Sequence, residues 1–379
     1  LPFDVEQMFY DSRAASKNFY FTRERLPAER VSLVSKGEMH HLVHRALEYL
    51  HHARGLPYAH LWYFPDGQRN LFAFRVDTDA AAQKDIDGLY RIAREHSISM
   101  SWYLDVKSHE PWLNHFSYMV NQEIGLHCYE HQTYEIYELN AKNMEAGLHA
   151  MRSHGLNPKG FAAPFGIWNT GLARAIDEHG FEYSSEFSYA YDTLPMYPAD
   201  NGTLFSALQV PIHPISIGSL RRVGYSEEQM TSYYRMCVDQ KLARCEPLFF
   251  YHHPTHRGYN IVEHLFQYVQ EKGIGGTTLG DFASWWKKRA VSPLSLHLEG
   301  SMVRVELPDA FDASVHVRLT NASGYEAIVR PQTLLDLSSL VWTKSAPMPE
   351  VPSDIRRLRD FDPRATLGNL YNTLIRKLR

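Results

Sequence analysis

Apolar and polar positions along the chain predict strands that alternate with helices from about residue 70 to residue 290. The apolar run 71–76 predicts a buried strand, and the periodic stretch 83–96 behind it predicts a helix. The same patterns predict further strands at 98–106, 123–128, 159–163, 181–187, 208–212 and 248–251, and further helices at 112–122, 134–154, 169–179, 227–242 and 262–271. Strands that alternate with helices form parallel sheets. About seven such units predict an α/β fold, a TIM-like (β/α) barrel of seven strands.

The segments on either side of this barrel have a different character. Residues 1–69 contain helix-like stretches and predict a mainly helical extension. Residues 293–345 contain runs with period-two alternation and a Gly300-Ser301 turn, which predict a small β-sandwich-like module. The module could bind carbohydrate or serve only as a structural appendage.

The end of the chain, residues 351–379, predicts a basic amphipathic helix. It holds seven basic and three acidic residues, and its apolar side chains fall on one helical stripe: Leu367, Leu370, Tyr371, Leu374, Ile375 and Leu378. Such a stripe needs a partner surface, which could be the body of the protein, another subunit or an anionic membrane. We therefore expect peripheral membrane binding or self-association through 365–379 as two of the alternatives.

Composition excludes some classes of function and leaves the compartment open. The 379 residues are 44% hydrophobic and carry a net charge of −4, which gives no support to a nucleic-acid partner. Three cysteines form no disulfide framework, and no apolar run reaches transmembrane length. These features slightly favour the cytoplasm.

Two short motifs predict a metal site. His127 and His131 are four residues apart, a spacing that would put both rings on one face of a helical turn, and Asp77-Thr78-Asp79 adds carboxylates. Two histidines and one carboxylate leave coordination positions open for water and substrate, as in catalytic sites. With 21 histidines in the chain, the spacing alone could arise by chance. The motifs follow predicted strands, however, and so fall on one rim of the barrel.

With these motifs, segment 70–290 resembles the polysaccharide deacetylase (NodB-homology) family, carbohydrate esterases of class four. The family has an acidic pair after the first strand, an H-x-x-x-H after the third, an R-x-P-x-G loop and a late strand that ends in a histidine. The corresponding residues here are Asp77 and Asp79, His127 and His131, Pro164 and Gly166, and His252-His253-Pro254. Two departures stand out: the acidic pair is D-T-D, and Ala162 occupies the position of the loop arginine.

The resemblance implies a role for each of these residues. Asp79, His127 and His131 would bind a divalent metal, Zn²⁺ or alternatively Co²⁺, Ni²⁺ or Mn²⁺. Asp77 would be the general base, and His253 the acid that protonates the leaving amine. Period two places Arg75 on the same strand face as Asp77, so we expect Arg75 to orient that base in place of the missing arginine. Substrate contacts are expected from Pro164, Phe165, Trp168 and His252.

A second histidine cluster is predicted to be unrelated to metal. His40, His41, His44, His51 and His52 alternate with Leu42, Ala46, Leu47 and Leu50, which predicts the solvated face of an ordinary amphipathic helix.

We therefore expect metal-dependent hydrolysis of N-acetyl groups on an amino-sugar polysaccharide or a glycan precursor. An amidase or imidase acting on a small or cyclic amide is one alternative. A catalytically silent carbohydrate-binding relative is the other, because Ala162 replaces the arginine.

Overall fold

The computed structural model describes residues 4–22, 24–292, 294–306 and 312–345, together with Leu367, Leu370 and Tyr371. Ahead of the barrel lie helices α1 (Val5–Phe9) and α2 (Lys36–His52) and strands β1 (Ala14–Lys17), β2 (Tyr20–Phe21), β3 (Glu24–Arg25), β4 (Glu29–Ser32) and β5 (Tyr58–Leu61). The segment predicted as mainly helical thus also holds several short strands.

A curled parallel sheet forms the centre of the molecule. Its strands are β6 (Leu71–Asp77), β7 (Ser101–Leu104), β8 (Glu123–Leu126), β9 (Gly160–Phe161), β10 (Tyr183–Ser184), β13 (Leu208–Gln209), β14 (Leu248–His252) and β15 (Gly275–Gly276). Between β10 and β13, strands β11 (Ala199–Asp200) and β12 (Thr203–Leu204) form a separate hairpin. Seven of them lie in the order β13-β10-β9-β8-β7-β6-β14, and β15 also pairs with β6. This confirms the predicted barrel of seven parallel strands.

Helices cover the outside of the sheet. They are α3 (Gln83–Glu95), α4 (Val106–His109), α5 (Tyr137–Ser153), α6 (Thr170–Glu178), α7 (Ile217–Arg222), α8 (Glu227–Arg244), α9 (Tyr259–Glu271) and α10 (Leu279–Ala290), with 3₁₀ turns at 65–67, 110–118, 164–166 and 254–256. Asn169 caps α6 as predicted, because its side chain accepts a hydrogen bond from the amide of Leu172 at 2.8 Å.

Burial on both faces explains the composition of the central strands. All seven residues of β6 are buried, as expected for a parallel strand covered by helices outside and by side chains inside. Two glycines leave space for aromatic rings inside the barrel. A Cβ on Gly125 would lie 2.6 Å from the ring of Tyr103, and one on Gly160 would lie 2.2 Å from the ring of Tyr183.

The C-terminal module consists of separate antiparallel sheets. Its strands are β16 (Ser295–Glu299), β17 (Met302–Glu306), β18 (Val317–Thr320), β19 (Tyr325–Val329), β20 (Leu334–Asp336) and β21 (Thr343–Lys344). One sheet has the order β16-β17-β20, and the other has the order β21-β19-β18-β5, so it borrows a strand from the N-terminal segment. Arg289 of α10 donates to the carbonyls of Leu61 and Trp62 and thereby ties this second sheet to the barrel.

Helix α2 exists as predicted, but its predicted orientation is wrong. The side chains of His40, His41 and His44 are half-buried, whereas Leu42 and Leu50 are 46% and 57% exposed. The histidines face the body of the protein, and the apolar side faces solvent.

The predicted tail helix, 351–379, lies outside the described residues except for Leu367, Leu370 and Tyr371, which are helical. Among the described helices, none is long and apolar enough to cross a membrane.

Candidate active site

The polar residues predicted to form a site lie at the carboxyl ends of neighbouring strands. Asp77 is the last residue of β6 and Asp79 follows it, His127 follows β8, and His253 follows β14. Because these strands are parallel and adjacent or nearly so in the sheet, their ends meet on one rim. The fold therefore brings together side chains that are up to 176 residues apart in sequence.

Asp79, His127 and His131 form a compact group of three electron-pair donors. The Nε2 atoms of His127 and His131 are 3.1 Å apart. Asp79 Oδ1 lies 3.3 Å from Nε2 of His127 and 3.1 Å from Nε2 of His131. Among the described residues, this is the one group of at least three His, Cys, Asp or Glu side chains close enough to hold a metal ion.

The backbone determines which nitrogen of His127 faces the group. Nδ1 of His127 lies 2.6 Å from the carbonyl oxygen of Ala162, which can only accept, so Nδ1 carries the proton and Nε2 offers a lone pair. Asp79 Oδ1 is buried and has no hydrogen bond of good geometry in the described chain, although both rings are at ion-pair distance. Two imidazole nitrogens and one carboxylate oxygen that converge in this way form a ligand set suited to a divalent ion.

The negative charge of the half-buried Asp79 is stabilised by its neighbours. Burial works against ionisation, but the imidazoles of His253, His127 and His131 hold the pKa of Asp79 well below its ordinary value. Asp79 is therefore a carboxylate at neutral pH, the form that binds metal.

Arg75 and Asp77 form a buried bidentate ion pair inside the barrel. Nε and Nη2 of Arg75 donate to the two carboxylate oxygens of Asp77 at 2.6 and 2.7 Å. Burial disfavours both charges, yet the pair prevails: it holds the pKa of Asp77 below its ordinary value and raises the pKa of Arg75. Both oxygens of Asp77 are thereby fixed, and the carboxylate stays ionised.

The two histidines at the end of β14 point to opposite sides, as period two requires. His253 Nε2 lies 3.3 Å from Oδ2 of Asp79 and 3.9 Å from Oδ2 of Asp77. His252 is fully buried on the other side, near the ring of Phe74. His252 therefore offers no surface to a substrate, contrary to the contact expected from the sequence.

The remaining expected substrate contacts differ in exposure. Phe165 is half-buried, and its ring lies edge-on to His131 with 5.1 Å between centroids. Pro164 is buried. Trp168 is only 6% exposed and packs against Tyr189 and Phe205 in a separate apolar cluster. Of the three, Phe165 borders the polar group directly.

The helical turn predicted for His127 and His131 is wrong. Residues 127–131 form no helical turn but leave β8 through bends. Cys128 has a positive φ of +71°, and the bends follow at residues 129–131. Asp79, Ala80 and Phe165 likewise have positive φ, at 31°, 50° and 59°. Such backbone costs free energy in non-glycine residues, of order 1–3 kcal/mol each, and is typical of functional sites.

Two contacts to this group were not expected from the sequence. The carbonyl oxygen of Ala162 fixes the ring of His127, so this residue contributes to the group through its backbone. Ser185 accepts from Nη1 of Arg75 through its carbonyl oxygen at 2.6 Å and through Oγ at 3.2 Å. Neither contact has a sequence signal, because a backbone carbonyl and a lone serine occur throughout any chain.

Comparison with known proteins gives matches in structure alone. No protein-family model and no curated protein sequence matches this chain. A structure from Mycobacterium smegmatis described as a polysaccharide deacetylase is 16% identical, covers 62% of this chain and 96% of its own, and has a TM-score of 0.50. The PuuE allantoinase (14%, 59% and 92%, TM-score 0.48) and a polysaccharide deacetylase from Pseudomonas aeruginosa PAO1 (17%, 59% and 92%, TM-score 0.45) are also similar.

At sequence identities this low, structural similarity shows the fold alone. The barrel has the fold of the polysaccharide deacetylase, or NodB-homology, family, as the motifs at its rim predict.

Proposed function

We propose that this protein is a metal-dependent hydrolase that removes N-acetyl groups from an amino-sugar polysaccharide or a glycan precursor. One observation carries the proposal: three electron-pair donors converge beside a second, separately anchored carboxylate and an imidazole from a third strand. The likeness of the fold to that of a polysaccharide deacetylase supports it.

Asp79, His127 and His131 would hold the metal, with Zn²⁺ as the first candidate and Co²⁺, Ni²⁺ or Mn²⁺ as alternatives. A bound divalent ion would lower the pKa of water and polarise the amide carbonyl. Two imidazoles and one carboxylate leave open positions for both water and substrate.

Asp77 is assigned the general base because of its anchoring. Its two oxygens accept from Arg75, so its position is fixed beside the metal ligands without belonging to the converging group. It is ionised at neutral pH and can therefore accept a proton from water. Arg75 is a positioning residue in this scheme, and Ser185 holds Arg75.

His253 is assigned the acid that donates a proton to the leaving amine. Its Nε2 approaches Oδ2 of Asp79, whereas Nε2 of His131 approaches Oδ1, and the side chain of His253 is 16% exposed at the rim. Phe165 would supply an apolar wall for a sugar ring.

Metal analysis combined with an acetate-release assay tests the proposal. We expect one equivalent of divalent metal per chain and acetate release from N-acetylglucosamine oligomers. Metal with turnover only of cyclic amides would replace the proposal by the amidase alternative. Sugar binding without acetate release from any N-acetylated oligomer would instead leave the silent relative.

A further inference from the structure

Helix α2 turns an apolar face to solvent. At 100° per residue, Met39, Leu42, Val43, Ala46, Leu47, Tyr49 and Leu50 fall within an arc of roughly 160°. Four of these side chains are strongly exposed: Leu42 (46%), Leu47 (43%), Tyr49 (72%) and Leu50 (57%). We refer to residues 39–50 on this side as the apolar face of α2.

Contacts of the opposite, histidine-bearing face fix the orientation of α2. His41 Nε2 lies 3.0 Å from Glu246, and His40 Nε2 lies 3.4 Å from the hydroxyl of Tyr63. The ring of His44 packs edge-on against His60, with 4.5 Å between centroids. Rotating the helix to bury its leucines would break these contacts. A contiguous apolar surface that the fold cannot turn inward marks an interaction site.

The chain contains a second apolar stripe of the same length. Residues 367–378 place Leu367, Leu370, Tyr371, Leu374, Ile375 and Leu378 within an arc of roughly 140°. The three described members are helical, and Leu367, Leu370 and Tyr371 are 65%, 56% and 64% exposed. Each stripe spans twelve positions, or about 18 Å of helix.

The route of the chain brings these stripes within reach of each other. Ser345 lines a cavity of about 500 Å³ together with His44 and Tyr49 of α2, on the histidine side of the helix, where Tyr49 marks the edge of the apolar face. Residues 346–366 then connect Ser345 to the second stripe, and an extended chain of that length reaches about 70 Å. A tether that starts beside α2 and is several times longer than the width of a helix raises the local concentration of the second stripe at the apolar face to the order of millimolar. This favours contact within one chain over contact with a second copy or a membrane.

We infer that residues 367–378 dock as a helix on the apolar face of α2 in the same chain. Helix–helix packing would bury both leucine stripes, and the basic side chains Arg376, Lys377 and Arg379 lie outside or at the edges of the apolar arc. The inference is independent of the proposed enzymatic function, because neither face contributes to the rim of the barrel.

Amide hydrogen exchange on the full chain, at several protein concentrations, tests this docking. An isolated helix of this length is marginal in water, so protection of 367–378 requires a partner. We expect exchange there to be at least about tenfold slower than in an unstructured chain, at every concentration. Leu42→Asp with Leu50→Asp should abolish that protection, and Leu370→Asp with Leu374→Asp should abolish it equally.

Val120→Asp is the matched control, since Val120 is apolar and 68% exposed outside both stripes. It should leave the protection of 367–378 unchanged, and retained protection of β6 in every variant shows that the barrel is folded. Unprotected amides at 367–378 in the wild type would overturn the inference. So would protection that grows with protein concentration, which indicates a second copy, or protection that appears only with anionic vesicles.

Discussion

Two histidine pairs with the same spacing, His127/His131 and His40/His44, have opposite fates in this fold. The first pair brings its Nε2 atoms to 3.1 Å, with ring centroids 4.9 Å apart. The second pair lies on a regular helix with its ring centroids 5.8 Å apart. Both rings of the first pair lie at ion-pair distance from Asp79, and among the described residues only this pair belongs to a group that could hold a metal.

The difference shows that spacing alone does not make a metal site. Side chains four residues apart on a helix lie side by side, about 5–6 Å apart at Cβ. After β8 the chain instead bends just after Cys128, and the carbonyl oxygen of Ala162 fixes one ring. A strained loop with a neighbouring strand end can aim two imidazoles at one point, whereas a regular helix keeps them apart.

Removing either member of the first pair should have the largest effect. His127→Ala or His131→Ala deletes one of three proposed ligands, so metal affinity should fall by more than about 100-fold and activity with it. The helical pair supplies the control: His40→Ala and His44→Ala should leave metal content unchanged. Metal analysis after dialysis decides, and a full equivalent of metal in both rim variants would refute the site.

Asp77→Asn and Asp79→Asn test whether the two carboxylates of the rim have different roles. The amide keeps the shape and loses the basicity, so turnover should fall by about 100-fold or more while the metal stays bound. Asp79→Asn should instead weaken metal binding, because a neutral amide is a poorer ligand for a divalent ion. If Asp77→Asn loses the metal and Asp79→Asn keeps it, the two assignments are reversed.

His253→Ala tests the proton donor against its buried neighbour. We expect kcat to fall by about 100-fold, with little change in KM, since the proton is needed only in the transition state. His252→Ala should disturb packing near Phe74 and therefore stability more than kcat. Steady-state kinetics and thermal unfolding of both variants provide the test, and a larger kcat loss in His252→Ala would contradict the assignment.

Arg75→Ala should show how much the anchoring of Asp77 matters. Leaving Asp77 buried without its partner should cost about 3–5 kcal/mol of unfolding free energy. In the protein that remains folded, turnover should drop by about 10- to 100-fold with metal retained. Ala162→Arg added to Arg75→Ala should restore part of the turnover by supplying a guanidinium from the end of β9, on the same rim. Full activity in Arg75→Ala would show that Arg75 has no positioning role.

We expect His40 and His44 to make the free energy of unfolding depend on pH. Burial lowers the pKa of His40 and of His44 from 6.5 to about 4. Below pH 6.5 the unfolded chain binds protons that the folded chain excludes, so stability is full above 6.5 and is lost as pH falls toward 4. In His44→Phe, the decrease in unfolding free energy between pH 6.5 and pH 4 should be smaller by about 1–3 kcal/mol. Replacing the exposed His297 by Ala should not, and an unchanged pH profile in His44→Phe would contradict the burial of His44.

Much of the fold could be predicted from the sequence because local patterns determine it. The alternation of apolar runs with helical stripes predicted the parallel barrel, and the side-chain cap at Asn169 marked the start of α6. The order of Asp79, His127 and His131 after predicted strands also placed them on one rim, since the ends of parallel strands meet there. These conclusions need only periodicity and chain direction.

Tertiary structure alone decided the orientations and the partners. Nothing in the local pattern of α2 indicates that Glu246 and Tyr63 would attract its histidines inward and leave its leucines in water. No spacing rule indicates that the loop after β8 would bend just after Cys128, or that Ser185 would hold Arg75. Local sequence determines which elements form, because backbone periodicity is a property of neighbours in the chain. Which face of an element is buried depends on polar partners far away in sequence, here 205 residues away for His41 and 110 for Arg75.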